Sequence, residues 1–256
     1  MLVELIGSAG CGKSSVARRV DRALAERGCD RLGFDELEEA GRRFGERRIK
    51  RRGAFGKAWM LAPTVVRHPV FVAAVYALAL LHGAPRAPRV RHANRALAHV
   101  RMLERIARGD RVVLVHEGFF QMLWSMTVES AALRGRPLIR FLLRRYRRML
   151  APVGILFCIG DEAARERVFQ RVAGHRFSAS SSAARREAFP KWLAYHRAIV
   201  ALAPADLVVA RVDATQPIEP LAREVGDIVL RVTAACRSDG PETARGPTLH
   251  GAGAGR

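Results

Sequence analysis

The chain passes from an apolar run, Leu2-Val3-Glu4-Leu5-Ile6, directly into Gly7-Ser8-Ala9-Gly10-Cys11-Gly12-Lys13-Ser14. The second segment fits the pattern G-x-x-x-x-G-K-[ST]. Residues 15–27 have helical composition, with their apolar side chains on one face. A buried strand, a glycine-rich turn and a helix in this order are the context that a phosphate-binding loop requires. The pattern therefore predicts that a nucleoside triphosphate binds at residues 7–14.

The residue types of this loop predict individual contacts with the ligand. Backbone N–H groups wrap a phosphate, glycines let the backbone approach it, and the helix that follows adds the positive end of its dipole. We expect Lys13 to reach the β- and γ-phosphate oxygens, Ser14 to bind Mg²⁺, and the side chain of Cys11 to point away from the ligand. The predicted nucleotide-binding residues of this segment are Gly7, Ser8, Ala9, Gly10, Cys11, Gly12, Lys13, Ser14 and Ser15.

Length and composition limit the class of protein. A chain of 256 residues with 49% apolar residues can bury one sizeable α/β core. No signal peptide is visible before the first strand, so we expect a cytoplasmic protein. The spacing of the cysteines indicates neither a zinc site nor a disulfide framework. These cysteines are Cys11, Cys29, Cys158 and Cys236.

The formal net charge of +20 leaves two interpretations open. Basic runs such as residues 47–52 and 144–148 would attract a polyanion, either a nucleic acid or an anionic membrane surface. Alternatively, the arginines belong to solvated helix faces of a chain rich in Ala, Arg and Gly. Aromatic residues are sparse and do not alternate with the basic runs as stacking platforms would, which favours the second interpretation.

Alternating apolar runs and helical segments predict a three-layer α/β fold with a five-stranded parallel sheet, as in P-loop NTPases. The predicted strands are residues 2–6, 31–34, 111–116, 153–159 and 207–212. The predicted helices are residues 15–27, 36–50, 93–108, 119–134, 138–150, 162–172 and 218–232. Residues 1–235 then form one domain, which includes a loop punctuated by Pro85 and Pro88 and a lid region at 161–190.

Two segments stand outside the regular alternation. Residues 53–91 are predicted to form an apolar helical insertion. Its uncharged part, residues 70–81, is too short to span a bilayer, so we expect a buried or interfacial helix there. Residues 236–256 are predicted to form a disordered tail, because they are rich in Gly, Pro, Thr and Ala.

Two groups outside the loop are candidates for catalysis. Glu117 follows the strand at 111–116, at the sheet edge beside the loop, where a carboxylate can hold Mg²⁺ through water or act on the phosphate acceptor. Arg167 and Arg171 lie one helical turn apart after the fourth strand, and Arg176 follows them. Small kinases close an arginine-bearing lid over the transferring phosphoryl group, which offsets the charge that develops on its oxygens.

Three segments resemble the carboxyl-terminal half of thymidylate kinases. Residues 167–177 resemble the arginine-bearing lid, and Phe189-Pro190-Lys191-Trp192-Leu193-Ala194-Tyr195-His196 resembles the helix after it. The turn after the last strand of that family is similar to Val212-Asp213-Ala214-Thr215-Gln216-Pro217-Ile218. The resemblance implies an ATP-dependent kinase with the adenine base against Asp213, Ala214 and Thr215. Thymidylate kinases are typically dimers, which implies a homodimer.

The acceptor side departs from this family. His116-Glu117-Gly118-Phe119 stands where the family has Asp-Arg, and Phe34-Asp35-Glu36-Leu37 stands where it has Arg-Glu-Pro. In the family these two segments hold and position the acceptor. We therefore expect a small acceptor that need not be dTMP, such as another nucleotide, a nucleoside or a sugar, with Asp35 orienting or deprotonating it.

Two functions are compatible with these residues. The first is a Mg-ATP-dependent phosphotransferase in which Ser14 and Glu117 hold Mg²⁺. Its predicted catalytic residues are Lys13, Asp35, Glu117, Arg167, Arg171 and Arg176. The second is an ATP-binding ATPase or switch protein that docks on nucleic acid or on an anionic membrane surface. The resemblance to the lid and to the adenine turn favours the first.

Overall fold

A five-stranded parallel sheet forms the frame of the computed structural model. Its strands are β1 (Leu2–Ile6), β2 (Arg31–Leu32), β3 (Val112–Val115), β4 (Val153–Cys158) and β5 (Val208–Asp213). Their spatial order is β2-β3-β1-β4-β5, with β1 at the centre. The described residues are 1–8, 11–33, 36, 37, 39, 61–81, 86–107, 111–128, 132–159 and 182–238. The predicted parallel sheet of five strands is confirmed.

Helices cover both faces of this sheet. They are α1 (Lys13–Glu26), α2 (Leu61–Arg67), α3 (Pro69–Leu81), α4 (Arg86–Ile106), α5 (Phe119–Thr127), α6 (Arg136–Leu150), α7 (Ser182–Val200) and α8 (Ile218–Ser238). One face is covered by α1 and α8, which pack against each other, and the other is covered by the layer that contains α3 to α7. The architecture is therefore three-layered α/β.

The central strand divides its side chains between two apolar cores. Successive side chains of a strand point to opposite faces of the sheet. Leu2 and Ile6 belong to the core beneath α3 to α7, whereas Val3 and Leu5 belong to the core beneath α1 and α8. Glu4 lies on the same face as Leu2 and Ile6 and is only 1% exposed. Its carboxyl group consequently points into the larger core.

The carboxyl ends of the strands meet at one edge of the sheet. Glu4 of β1 lies opposite Val115 of β3, and Ile6 lies opposite Leu156 of β4. The connection after β1 leads to β2 on one side, whereas the connection after β4 leads to β5 on the other. Neighbouring connections that diverge in this way open a crevice at the sheet edge, which is where ligands bind in open α/β sheets. Gly7 follows β1 at this point.

The two helices with a proline in the first turn both begin earlier than predicted. We predicted a loop around Pro85 and Pro88, but α4 begins at Arg86 and includes Pro88. Likewise α6 begins at Arg136, before Pro137, rather than at residue 138. The first-turn N–H groups of a helix have no partner within the helix, so a proline there removes no hydrogen bond. The loop prediction at Pro88 was therefore wrong.

Other element limits differ for local reasons. The helix predicted over 119–134 ends at Thr127, whose hydroxyl donates to the carbonyls of Leu123 and Trp124. The strand predicted over 31–34 ends at Leu32, because the Gly33 N–H donates to the Glu36 carboxylate instead of to a neighbouring strand. Side-chain hydrogen bonds of this kind compete with the regular backbone pattern.

Several predicted segments lie partly outside the described residues. Helix α8 continues to residue 238, beyond both the predicted helix end at 232 and the predicted start of the tail at 236. Residues 239–256 lie outside the described part of the chain, as do most of the predicted helix at 36–50 and all of that at 162–172. The described residues of the insertion predicted at 53–91 form α2, α3 and the start of α4, and their role as an insertion stays a prediction.

Helix α3 is apolar on all sides but buried on only one. Phe71, Val75 and Leu78 are fully buried, whereas Val70 and Leu80 are more than half exposed. In the described part of the chain, no single helix is long and apolar enough to cross a membrane. Helices α2 and α3 meet this length and composition only as a pair, and they are bent by 112° relative to each other.

Candidate functional site

The ammonium group of Lys13 folds back onto the glycine-rich segment. Its Nζ atom donates to the carbonyl oxygens of Gly7, at 2.6 Å, and Ser8, at 2.9 Å, and lies 3.6 Å from Sγ of Cys11. A lysine has three hydrogens to donate. All three are engaged by the loop itself, so an incoming anion must replace at least one of these contacts. The arrangement keeps the positive charge at the sheet edge.

The amino terminus of α1 has donors without partners inside the helix. Gly12 precedes the helix in the left-handed conformation, with φ 88°, and no side chain among the described residues caps the helix. The N–H groups of the first turn, which contains Lys13, Ser14 and Ser15, have no intrahelical acceptor by construction. They point away from the helix together with the positive end of its dipole. This end of α1 is suited to bind a phosphate group.

Cys11 and Gly7 pack tightly below the loop. The Cys11 side chain is fully buried, and its orientation relative to a ligand stays a prediction. A Cβ atom at Gly7 would lie 2.6 Å from Sγ of Cys11 and 2.9 Å from Cβ of Phe157. Both separations are shorter than van der Waals contact, so this position requires glycine. The hydroxyl of Ser8 is buried and makes no hydrogen bond to any described residue.

His196 contacts the loop from the opposite layer and was not predicted. It lies on α7, is buried, and donates a hydrogen bond to the Gly7 carbonyl. Burial, together with the smaller effects of the positive charges on Lys13 and Arg197, lowers the pKa of His196 to about 3, although the hydrogen bond to Gly7 opposes this shift. The imidazole is therefore neutral at pH 7. Helix α7 is held in place by the Trp124 indole, which donates to the Trp192 carbonyl at 3.0 Å.

On the other side of β1, Glu117 and His99 come together. Glu117 is exposed two residues after β3, the strand adjacent to β1, as predicted from the order of the elements. His99 comes from α4, and its Nε2 atom is buried without a hydrogen-bond partner among the described residues. Burial lowers the pKa of His99 to about 4, against the opposing effect of the nearby Glu117 carboxylate. A carboxylate and a neutral imidazole thus face the same edge as the loop.

Glu4 supports the turn that carries Glu117. Its carboxyl oxygens accept hydrogen bonds from the Phe120 N–H and the Tyr146 hydroxyl, both at 2.9 Å. Burial raises the pKa of Glu4 to about 7, although these hydrogen bonds lower it. A single charged residue inside the apolar run of β1 is a signal that sequence reasoning could have used. The strand pattern by itself predicts no role for this residue.

The turn after β5 is at the same edge, where the adenine contact was predicted. Asp213 accepts hydrogen bonds from both the backbone N–H of Thr215, at 2.9 Å, and its hydroxyl, at 2.7 Å. The Ala214 N–H donates to the Cys158 carbonyl at 2.7 Å, which ties the turn to β4. Asp213 and Thr215 are exposed, and Ala214 is buried. The base contact itself stays a prediction.

A cleft of about 420 Å³ opens next to the loop between β4, β5 and α7. Its walls are apolar and include Phe157, Leu193 and Val200, and Ser8 lies at one end. Arg197 and Arg211 contribute positive charge. The crevice expected from the sheet topology is thus present on the β4 side of the loop.

The structure brings together only part of the predicted site. Residues 7, 8 and 11–15, Glu117 and residues 213–215 all lie at the carboxyl edge of the sheet. Six other predicted site residues lie outside the described residues, and these are Ala9, Gly10, Asp35, Arg167, Arg171 and Arg176. Among the described residues, no group of three or more His, Cys, Asp or Glu side chains is arranged to hold a metal ion. No protein-family model matches the chain, and no curated protein matches it with significant similarity.

Proposed function

We propose that the protein is a Mg-ATP-dependent phosphotransferase of the nucleoside and nucleotide kinase type, acting on a small acceptor. The observation that carries the proposal is the position of Lys13. Its ammonium group lies on the Gly7 and Ser8 carbonyls at the start of α1, directly after the central strand of a parallel sheet. A triphosphate would find three matching features at this sheet edge: a lysine cation, helix N–H groups that have no acceptor within the helix, and a crevice.

The residues at this edge also fit a magnesium ion that arrives with ATP. Mg²⁺ bound with a nucleotide takes most of its ligands from phosphate oxygens and water and needs only one or two from the protein. The Ser14 hydroxyl in the first turn of α1 and the exposed Glu117 carboxylate are the oxygen groups for this role. The missing cluster of acidic ligands among the described residues is compatible with such a site. When bound, the ion would neutralise charge on the phosphates.

Phosphoryl transfer depends mainly on positioning and electrostatics. Lys13 would exchange its contacts with the loop carbonyls for phosphate oxygens. Glu117 and the neutral His99, which lie close together, would face the acceptor, where a carboxylate can orient a hydroxyl or phosphate. Arg167, Arg171 and Arg176 would stabilise the negative charge that develops on the transferring group. Asp35 would orient the acceptor.

The test is ATP binding and γ-phosphate transfer by the full chain and by Lys13→Ala. The acceptor panel contains nucleosides, nucleoside monophosphates and sugars, each with Mg-ATP. Loss of a charged contact to phosphate is expected to weaken ATP binding about 100-fold and to abolish turnover. Lys191→Ala is the matched control, because Lys191 is exposed on α7 and its ammonium group lies over the Tyr195 ring rather than on the loop.

The outcome discriminates between the two functions considered. Wild-type affinity and turnover in Lys13→Ala would rule out a phosphate-binding role for residues 7–14. ATP hydrolysis without transfer to any acceptor, together with loss of activity in Lys13→Ala, would favour an ATPase or switch protein. Thermal unfolding of both variants separates these effects from a loss of fold.

A further inference from the structure

Exposed aliphatic side chains concentrate on the bent pair α2 and α3. Within the described residues, most of the large apolar side chains that are exposed belong to these two helices. We call them the apolar patch, and they are Val65 (42% exposed), Val66 (80%), Val70 (59%), Leu80 (57%) and Leu81 (48%). The first three flank the 112° bend, and the last two end α3. The patch therefore covers the bend and the far end of the pair.

The outward face of α3 has no polar residue to interact with water. Its exposed positions are Val70, Ala73, Ala77, Leu80 and Leu81, which follow helical spacing after the initial proline. A surface helix of a globular protein usually carries charged or polar residues on this face. A helix that is apolar all round is ordinarily enclosed by protein or lipid. In α3 one face packs on the core, and the side chains of the other are exposed.

Helix α6 presents an unbroken row of positive charge. Arg136, Arg140, Arg144 and Arg148 are all exposed and follow one another at four-residue intervals, so they share one face. We call them the arginine stripe. The helix contains no acidic residue, and none of the four forms an ion pair with a described residue. Within the described part of the chain, the stripe is thus a cationic surface without acidic partners.

The apolar patch and the arginine stripe adjoin. Gly135 immediately precedes α6, and a Cβ atom there would lie 3.2 Å from Cδ1 of Leu81 and 3.6 Å from Cδ1 of Leu78. Arg136, the first arginine of the stripe, therefore follows directly after the glycine that contacts the end of α3. Aliphatic and cationic groups consequently meet at one corner of the molecule.

The other end of the patch is held in shape by polar contacts to one buried carboxylate. His68, at the bend, hydrogen-bonds to a Glu104 oxygen at 2.9 Å, and Arg101 forms an ion pair with the other oxygen at 3.1 Å. Glu104 is only 8% exposed and lies on α4. The bend is therefore anchored to the layer beneath it, so the patch is preformed.

We propose that the apolar patch and the arginine stripe dock the protein on the surface of a membrane that contains anionic lipids. Aliphatic side chains suit the boundary between headgroups and acyl chains, and arginines suit phosphate and carboxylate headgroups. The proposal is independent of the phosphotransferase function. It gives the arginine stripe and the exposed residues of α2 and α3 one shared role.

Two other occupants fit this surface less well. A second copy of the chain in a symmetric dimer would present the same patch and the same stripe. It would bring uncompensated arginines near one another around the interface. The phosphates of a nucleic acid could bind the arginine stripe, but they would make no favourable contact with exposed valines and leucines. The patch also has no aromatic side chain on which a base could stack.

The test is cosedimentation of the full chain with vesicles. One set is made of phosphatidylcholine alone and the other of equal parts of phosphatidylcholine and phosphatidylserine. We expect binding only to the second set, and we expect it to weaken as salt is added. Arg140→Gln with Arg144→Gln should weaken binding about 25-fold, at about fivefold per arginine near an anionic surface. Val66→Ser with Val70→Ser should weaken it about tenfold or more.

The control pair is Val209→Ser with Arg231→Gln. Val209 is 47% exposed on β5 and Arg231 is exposed on α8, away from the proposed surface. The control should bind vesicles like the wild type, and all variants should unfold at similar temperatures because every substituted side chain is exposed. Equal binding by all variants, or no binding to anionic vesicles, would overturn the proposal.

Two further outcomes would assign the surface to another occupant and also overturn it. The first is a dimer in sedimentation analysis that Val66→Ser with Val70→Ser dissociates while no vesicles are bound. The second is DNA binding that depends on Arg140 and Arg144 but not on the two valines, with no vesicle binding.

Discussion

The carboxyl group of Glu4 and the hydroxyl of Tyr146 lie 2.9 Å apart inside the apolar core, between the central strand and α6. The same carboxyl group accepts the N–H of Phe120 at the start of α5. Three elements that are distant in sequence are thereby joined directly beneath the turn that carries Glu117. A buried carboxyl group in this position should influence both stability and the geometry of the candidate site.

The first prediction is that Glu4 makes stability depend on pH. Burial raises its pKa from 4.5 to about 7. The folded protein therefore keeps a proton that the unfolded chain releases between these pH values, and its stabilising contribution falls as pH rises through this window. The shift of the pKa corresponds to about 3 kcal/mol of unfolding free energy, present in full below pH 4.5 and lost above pH 7.

Urea unfolding at pH 5 and pH 8 checks this for the wild type and for Glu4→Gln. The glutamine is neutral at both pH values and can hydrogen-bond to the same partners. The fall in unfolding free energy that Glu4 causes between pH 5 and pH 8 should therefore disappear in the variant. The pKa values of His99 and His196 are lowered, so their effect on stability has the opposite pH dependence. The stabilisation that each neutral imidazole contributes is lost as pH falls below 6.5. Comparing wild type with variant cancels their effect. An unchanged decline in Glu4→Gln would show that another group is responsible.

The second prediction concerns Gly118. A Cβ atom there would overlap the Glu4 carboxyl group. Gly118→Ala should therefore destabilise the fold by about 2–3 kcal/mol, since a buried side chain must be displaced. Gly226→Ala on α8 is the matched control, because its Cβ would meet no atom of the described residues within 4 Å. The control should be neutral or stabilising by up to about 1 kcal/mol in a helix interior. Thermal or urea unfolding that ranks the two variants equally would contradict the packing at Gly118.

The third prediction concerns His196 and nucleotide affinity. Lys13 and His196 both donate to the Gly7 carbonyl. When Lys13 turns to a phosphate, His196 becomes the donor that remains for this carbonyl. His196→Leu should weaken ATP binding about tenfold, whereas His196→Gln, which keeps a donor, should stay within about threefold of the wild type. Calorimetric titration with a non-hydrolysable ATP analogue measures both, and equal affinities would exclude a positioning role.

The same residue predicts how binding depends on pH. Because the pKa of His196 is about 3, its imidazole should stay neutral across the physiological range. Affinity for ATP should therefore show no transition near pH 6.5 that His196→Gln removes. Such a transition, present in the wild type only, would contradict the burial of this side chain.

The fourth prediction concerns Glu117 and magnesium. If Glu117 holds the ion, Glu117→Gln should raise the Mg²⁺ concentration at half-maximal activity about tenfold and leave ATP affinity nearly unchanged. If it acts on the acceptor, kcat should fall with the Mg²⁺ requirement unchanged. Initial rates over a Mg²⁺ series separate these roles. Wild-type rates at every concentration would remove Glu117 from the site.

The local residue pattern was sufficient to predict the two elements that lead into the site. The apolar run before Gly7, the glycine spacing and the periodicity after Ser14 are properties of neighbouring residues, so β1 and α1 were predictable. The prolines were misleading, because Pro88 and Pro137 lie in first turns, where a proline removes no hydrogen bond. Glu117 was placed correctly at the sheet edge since the order of strands in an α/β chain constrains where their ends meet.

His99 and His196 could not be predicted in the same way. Each lies on a helix that the chain order separates widely from the loop, and no spacing links either residue to it. Only the packing of α4 and α7 against the sheet brings them to this edge and removes them from water. Their neutral state depends on burial, which is a property of the assembled fold.

From the order of its residues alone, the chain specifies a parallel α/β sheet, a glycine-rich turn after the first strand and a lysine at the start of a helix. The turn and the lysine depend on neighbouring residues, and the sheet follows from the alternation of strand and helix patterns along the chain. The tertiary structure alone determines that Lys13 lies on its own loop carbonyls, that Glu4 is buried with Tyr146, and that the arginine stripe adjoins an exposed apolar helix. The reason is physical: burial, pKa and surface continuity depend on distances between groups far apart in the chain.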